Sequence, residues 1–182
     1  MSEKKKFALV TGGSRGIGKA ICLQLALDTE YKILINYKEN ASAAQETLNE
    51  IEKNGGSAEL IQFNVGDTED VQNKLDQWHE SNKDAIIEVI VNNAGITKDG
   101  LFMWMKPEDW NNVINTSLNG FFNVTNHLIQ KLLVNKYGRI INLVSVSGLK
   151  GTPGQVNYSA AKGGIIAGTK ALAQEIAKRN IT

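Results

Sequence analysis

The sequence predicts one α/β domain, a doubly wound parallel β-sheet with helices on both faces. Short β-rich runs alternate with longer helical patterns along the whole chain. Runs such as "LVT" and "IINLV" are apolar on both faces, as parallel strands covered by helices must be. Glycines and a proline mark the boundaries between the two patterns. In order, strand "FALVT" (7–11) runs into Gly12-Gly13 and a helix over 16–28. Strand "KILINY" (32–37) leads to a helix over 41–54 that stops at Gly55-Gly56. Strand "AELIQF" (58–63) leads to a helix over 67–82, and "IIEVIVNN" (86–93) is the fourth strand. Pro107 suits the first turn of a helix over 108–134, because its missing N–H has no partner to lose there. Gly138 then opens strand "GRIINLVS" (138–145), and a last helix spans 155–179.

Composition narrows the function. The 182 residues suit one domain over 1–182, with no repeat, linker or low-complexity segment. Twenty basic against nineteen acidic residues give a net charge of +1, so no nucleic-acid or membrane-surface field is expected. The Lys4-Lys5-Lys6 run reads as a solvated lead-in, and Phe7 to Val10 is too short for a signal-peptide core. No apolar stretch approaches a membrane span, and the expected location is cytoplasmic. The single cysteine, Cys22, excludes an internal disulfide and falls among apolar neighbours on a helix, as a small buried hydrophobe does. His79 and His127 lack partners at metal-ligand spacing, so no metal site is expected. The N-x-[ST] matches at Asn40, Asn115, Asn123, Asn157 and Asn180 read as chance.

Four motifs carry chemistry. "TGGSRGIG" (11–18) lies between the first strand and first helix, where Gly12, Gly16 and Gly18 permit a tight turn and close approach to a diphosphate. The helix N-terminus adds unpaired N–H groups facing the phosphates. The spacing is G-x-x-x-G-x-G rather than G-x-G-x-x-G, so the general dinucleotide fingerprint is met in outline. NAD sites place an acidic residue at the end of the second strand, whereas this chain reads Asn36-Tyr37-Lys38 there. Arg15 and Lys38 can meet a 2′-phosphate, which favours NADP(H). "NNAG" (92–95) ends the fourth strand, at the side of the sheet where ligands bind. Ser145 ends the fifth strand, and a hydroxyl there can hydrogen-bond a substrate carbonyl. Tyr158 and Lys162 stand four residues apart, which stacks them on one helix face.

In that order on a βα repeat, these motifs resemble the short-chain dehydrogenase/reductase family, over essentially the whole chain. "ALVTGGSRGIGKAI", "GRIINLVSVSG" and "GQVNYSAAKGG" carry the resemblance. "VNNAGITKDGLFMWMK" turns it toward the branch of 3-oxoacyl-[acyl-carrier-protein] reductases rather than sugar or steroid reductases. The resemblance implies a Rossmann-type fold and NADPH-dependent reduction of a 3-oxoacyl thioester in fatty-acid or polyketide-like synthesis. A related reductase or dehydrogenase for another carbonyl or alcohol is the alternative. A nucleotide-sensing protein would keep the glycine loop but not the Tyr158/Lys162 pair beside Ser145.

The resemblance also implies roles. Tyr158 is the general acid, Lys162 steadies the phenolate and holds the nicotinamide ribose, and Ser145 orients the carbonyl. Gly12, Ser14, Arg15 and Ile17 surround the phosphates, Asn64 and Val65 the adenine, and Asn93 and Gly95 the nicotinamide. Helices 108–134 and 155–179 pack between subunits of a homotetramer. Lys136 and Arg179 match basic positions that receive acyl carrier protein; a solvated surface charge is the alternative for both, and as good a one for Lys136. Two departures stand out. Aligning "WNNVINTSLNGFF" on Trp110 and Leu118 puts Ser117 where the family has a catalytic asparagine, with Asn115 or Asn119 as substitutes from a shifted register. The chain stops at "AKRNIT", where the family continues into a further strand, a substrate loop and a final strand, so a partial record with an open edge at "RIINLV" is expected.

Overall fold

The computed structural model describes residues 5–182, and Lys4 of the expected lead-in lies outside them. Five strands, β1 (Lys5–Val10), β2 (Lys32–Tyr37), β3 (Ala58–Gln62), β4 (Ala85–Asn92) and β5 (Arg139–Asn142), form one parallel sheet in the order β3-β2-β1-β4-β5. The helices are α1 (Gly16–Asp28), α2 (Ala41–Lys53), α3 (Thr68–Ser81), α4 (Pro107–Ile114), α5 (Gly120–Asn135), α6 (Ser147–Lys150) and α7 (Val156–Ile176). The chain winds from β1 outward to β3, then returns to the other side of β1 for β4 and β5. Loops leaving β1 and β4 therefore part in opposite directions, and the crevice at their carboxyl ends is where such a sheet binds ligands.

Period-two alternation divides the strands between two cores. Phe7, Leu9, Leu34, Ile87 and Ile90 face Val71 and Leu75 of α3 and Val124, Leu128 and Leu132 of α5. Ala8, Val10, Ile33, Ile35, Val89 and Val91 face Cys22 of α1 and Ile51 of α2. Cys22 is fully buried, and burial pushes its thiol up to about 12, so it packs as a hydrophobe. Glu88 interrupts the alternation. The register of β1 and β4 slips between Phe7/Ile87 and Ala8/Val89, leaving Glu88 as the extra residue of a bulge. Its buried carboxylate accepts from the Tyr31 hydroxyl (3.1 Å) and Asn135 Nδ2 (3.1 Å). A buried anion must be hydrogen-bonded in this way to be tolerated.

Local differences from the sequence expectations have physical causes. The helix expected over 108–134 is interrupted by a π-helical turn, Asn115–Asn119, between α4 and α5. The helix expected over 155–179 ends at Ile176, followed by a 3₁₀ turn and the left-handed residue Asn180. The strand expected to reach Ser145 loses its ladder after Asn142, because α6 turns the chain away. The edge of β5 is partly covered by the chain's own last residues. Ile140 N donates to Thr182 O (2.8 Å), Ile181 bridges Gly138 in parallel, and Ile181 is buried. Ile141 of β5 (46% exposed) and Val144 beyond it (45%) stay exposed.

Candidate active site

The site is built on the carboxyl ends of β1, β4 and β5. Thr11 closes the first two, its Oγ1 donating to Val91 O (3.2 Å) and accepting from the backbone N–H of Asn93 and Ala94 (both 3.0 Å). Gly12 has φ +63°, and a Cβ there would stand 3.2 Å from Ala94 Cα. Asn36, buried at the end of β2, accepts from Gly12 N through Oδ1 (3.1 Å) and from Gly13 N through its carbonyl (2.9 Å). It therefore holds the glycine loop from the position where NAD sites carry a carboxylate. The loop then enters α1 through Arg15, whose side chain does not cap the helix. Its first-turn N–H groups thus lack a side-chain acceptor, as a diphosphate site requires. Ser14 is half-buried, Arg15 and Ile17 are exposed at the loop's rim, and Lys38 lies beyond β2 in an exposed pair with Glu39 (3.1 Å).

Three residues expected to contact the cofactor also make contacts within the protein. Asn93 Nδ2 donates to the carbonyls of Thr11 (2.8 Å) and Gly12 (3.2 Å), so this side chain secures the glycine loop. Val65 packs against Gly120, and its carbonyl accepts from Asn123 Nδ2 (2.9 Å). Asn64 turns its Oδ1 to Gly66 N (3.2 Å), while its own N–H donates to Asp70 (2.7 Å).

The chemical half assembles through close glycine contacts. Gly148 of α6 touches α7, where a Cβ would lie 2.7 Å from Gly163 N and from the Lys162 carbonyl carbon. That contact brings Ser145, at the start of the turn, beside the helix carrying Tyr158 and Lys162. Ser145 Oγ accepts from Ser147 N (3.1 Å), which leaves its own O–H free to donate outward. Tyr158 is half-buried, and Lys162 Nζ lies 5.7 Å from its ring centroid. Lys162 is 4% exposed and donates to Leu143 O (2.6 Å). Among the described residues no carboxylate pairs with it, and burial lowers its pKa from the ordinary lysine value.

Ser117 completes the group. The π turn buries it to 2% exposure, and its Oγ has no hydrogen-bond partner. A Cβ on Gly95 would stand 3.3 Å from Ser117 Oγ and 3.6 Å from Lys162 Nζ, so the absent side chain leaves a gap both atoms border. Asn115 and Asn119 are exposed and bond each other (2.7 Å), so neither substitutes at this position. Sequence reasoning missed Asn157, which is fully buried and donates to Lys98 O (3.0 Å) while accepting from Tyr158 N (2.8 Å). Its signal was only its place directly before Tyr158. Lys136 and Arg179 are exposed near the amino end of β5, opposite the strand end that leads to Ser145. They are not brought to the crevice of their own chain.

A glycine-loop Rossmann-type sheet with serine, tyrosine and lysine at its switch point defines a nicotinamide-dependent oxidoreductase class. The short chain dehydrogenase family model matches residues 6–182, and the chain belongs to that family. It is 48% identical over 177 residues to a 3-oxoacyl-[acyl-carrier-protein] reductase of Synechocystis sp., covering 96% of this chain and 70% of the relative. It is 43% identical to the 3-oxoacyl-[acyl-carrier-protein] reductase FabG of Staphylococcus epidermidis and 44% to that of Staphylococcus aureus, covering 97% of this chain and 71% of each. No helix among the described residues is long and apolar enough to cross a membrane.

Proposed function

We propose that the protein reduces the 3-keto group of an acyl thioester carried on acyl carrier protein, using NADPH. The observation that carries this reading is the convergence of Ser145, Tyr158 and Lys162 beside an open glycine loop. NADPH, when bound, supplies the hydride; Gly12, Ser14, Arg15 and Ile17 would hold its phosphates, Lys38 and Arg15 its 2′-phosphate, and Asn64 and Val65 border the adenine. Ser145 Oγ–H donates to the substrate carbonyl oxygen, and Tyr158 delivers the proton to that same oxygen. The Lys162 cation favours the phenolate that remains and faces the nicotinamide ribose with Gly95. Asn93 acts on the cofactor through the loop it secures. The names of the relatives support the 3-oxoacyl substrate, and the missing acid at the end of β2 supports NADPH over NADH.

Full-length protein mixed with NADPH and acetoacetyl thioesters is expected to consume NADPH, with NADH at least about tenfold less efficient from the loss of charge-assisted contacts. No turnover with any 3-oxoacyl thioester would falsify the substrate, and an NADH preference would remove the role given to Arg15 and Lys38. Exposed Phe122 on α5 (58%) supports an α5/α7-packed homotetramer. In such an assembly Lys136 and Arg179 would receive the carrier beside a neighbouring subunit's crevice.

Ser117 is the fourth member of the proposed machinery, a hydroxyl that can relay a proton behind Lys162. Ser117→Ala is expected to lower kcat about tenfold with little change in KM, within the range of a lost proton-relay group. Thermal unfolding should stay unchanged, because an unpartnered buried hydroxyl contributes no hydrogen bond to stability. A lower unfolding temperature with unchanged kcat would make Ser117 a packing residue only.

A further inference from the structure

One side chain joins two loops of the site that the motifs treat separately. The segment 93–106 leaves β4 carrying exposed Leu101, Phe102, Met103 and Trp104 (53–75%). It rests on the turn before α7, where Gly100 N donates to Gly154 O (2.8 Å). Gln155 sits in that turn with both ends of its amide engaged. Its Nε2 donates to Asp99 Oδ2 (3.0 Å), and its Oε1 accepts from Ser147 Oγ (3.2 Å). Ser147 Oγ in turn accepts from Thr152 Oγ1 (2.9 Å), and Ser147 N donates to Ser145 Oγ (3.1 Å).

We propose that Gln155 is a positioning residue that clasps the Asp99 loop to the Ser145 turn, so that the apolar ledge and the serine hydroxyl are set together. The assignment follows from donor and acceptor identity. Asp99 can only accept when ionised, and the Ser147 hydroxyl, which accepts from Thr152, directs its one O–H to Gln155. A group between them must donate at one end and accept at the other, as the two separate atoms of an amide do. Gln155 touches neither the reacting carbonyl nor Tyr158 in this scheme. It acts through Ser145, and the scheme rests on the reductase reading above.

The test exchanges the two groups. In Gln155→Glu, the Ser147 bond survives but two carboxylates face each other at about 3 Å, where they hold a single shared proton. Activity should therefore acquire an alkaline limb absent from the wild type, with kcat falling about 10- to 100-fold as the shared proton leaves, the scale of a misplaced catalytic group. The exchanged pair Asp99→Asn with Gln155→Glu restores one donor and one acceptor. It should return kcat to within about threefold of wild type and remove the limb. A pH profile of Gln155→Glu that parallels wild type, or an exchanged pair no better than the single variant, would overturn the clasp. In Gln155→Ala, the Gly100 amide should also exchange with solvent faster, and unchanged exchange overturns the clasp without any assay of turnover. Absence of turnover in the wild type would count against the reductase reading alone, leaving the exchange measurement to decide the clasp.

Discussion

Tyr158→Phe is expected to lower reduction of a 3-oxoacyl thioester by at least about a thousandfold, with NADPH affinity kept within about threefold of wild type. The substitution removes one oxygen and leaves a ring of nearly the same volume in a half-buried position, so folding has little to lose. What is lost is the proton donor at the carbonyl oxygen. Ser145 still offers a hydrogen bond, but a serine hydroxyl surrenders its proton far less readily than a phenol. Lys162 cannot take over, because its buried ammonium donates to Leu143 O and lies beside Gly95 and Ser117 rather than at the carbonyl position proposed for Tyr158. Burial also works against Lys162 as a permanent cation, since desolvation penalises the charged form. The Leu143 carbonyl and the polar gap at Gly95 and Ser117 offset part of that penalty. Steady-state turnover and a fluorescence titration with NADPH separate the two quantities. Turnover near wild type would remove Tyr158 from the mechanism.

The sheet was legible because its signals are local and redundant. The first helix runs over 16–28 in both readings, since a glycine loop and an apolar run bracket it on each side. The site was legible as a set of positions but not as a set of contacts. Asn36 was read as the absence of an acid, yet its amide joins β2 to Ile61 of β3, to Phe63 just beyond it and to the glycine loop, through pairings that join residues far apart in sequence. Asn93 was read as a cofactor contact because the motif lies where the cofactor must be. Its side chain is spent on Thr11 and Gly12, which only the β1–β4 adjacency reveals. Ser117 was undecidable from periodicity, because a π turn adds a residue to the helix and rotates every later position. That rotation buries Ser117 and turns Asn115 and Asn119 outward. The same limit applies to Lys136 and Arg179, whose distance from the crevice depends on strand direction rather than on any motif.

Gly18→Ala is expected to have the second large effect, and its contrast with Gly16→Ala separates two loop glycines by mechanism. A Cβ at Gly18 would fall inside contact distance of the Gly12 carbonyl oxygen and 2.5 Å from Asn93 Nδ2. Neither atom can yield easily. The carbonyl belongs to a residue fixed at φ +63° and held by Asn36, and the amide nitrogen bonds both Thr11 O and Gly12 O. Alanine must therefore push α1 off the sheet or break the Asn93 clasp, and overpacking of this kind costs about 1–3 kcal/mol. Either escape also displaces the N–H groups of the loop, so NADPH affinity should fall at least about a hundredfold, beyond what the stability loss alone would bring. Gly16→Ala provides the contrast. Its Cβ would meet nothing within 4 Å, but φ is +57°, so the cost is the left-handed strain of about 1–2 kcal/mol with no collision. Thermal unfolding should drop in both variants, whereas NADPH titration should separate them by about tenfold, with Gly18→Ala the weaker binder. Equal affinities would mean that the close packing of α1 on Gly12 contributes to folding and not to the shape of the phosphate loop.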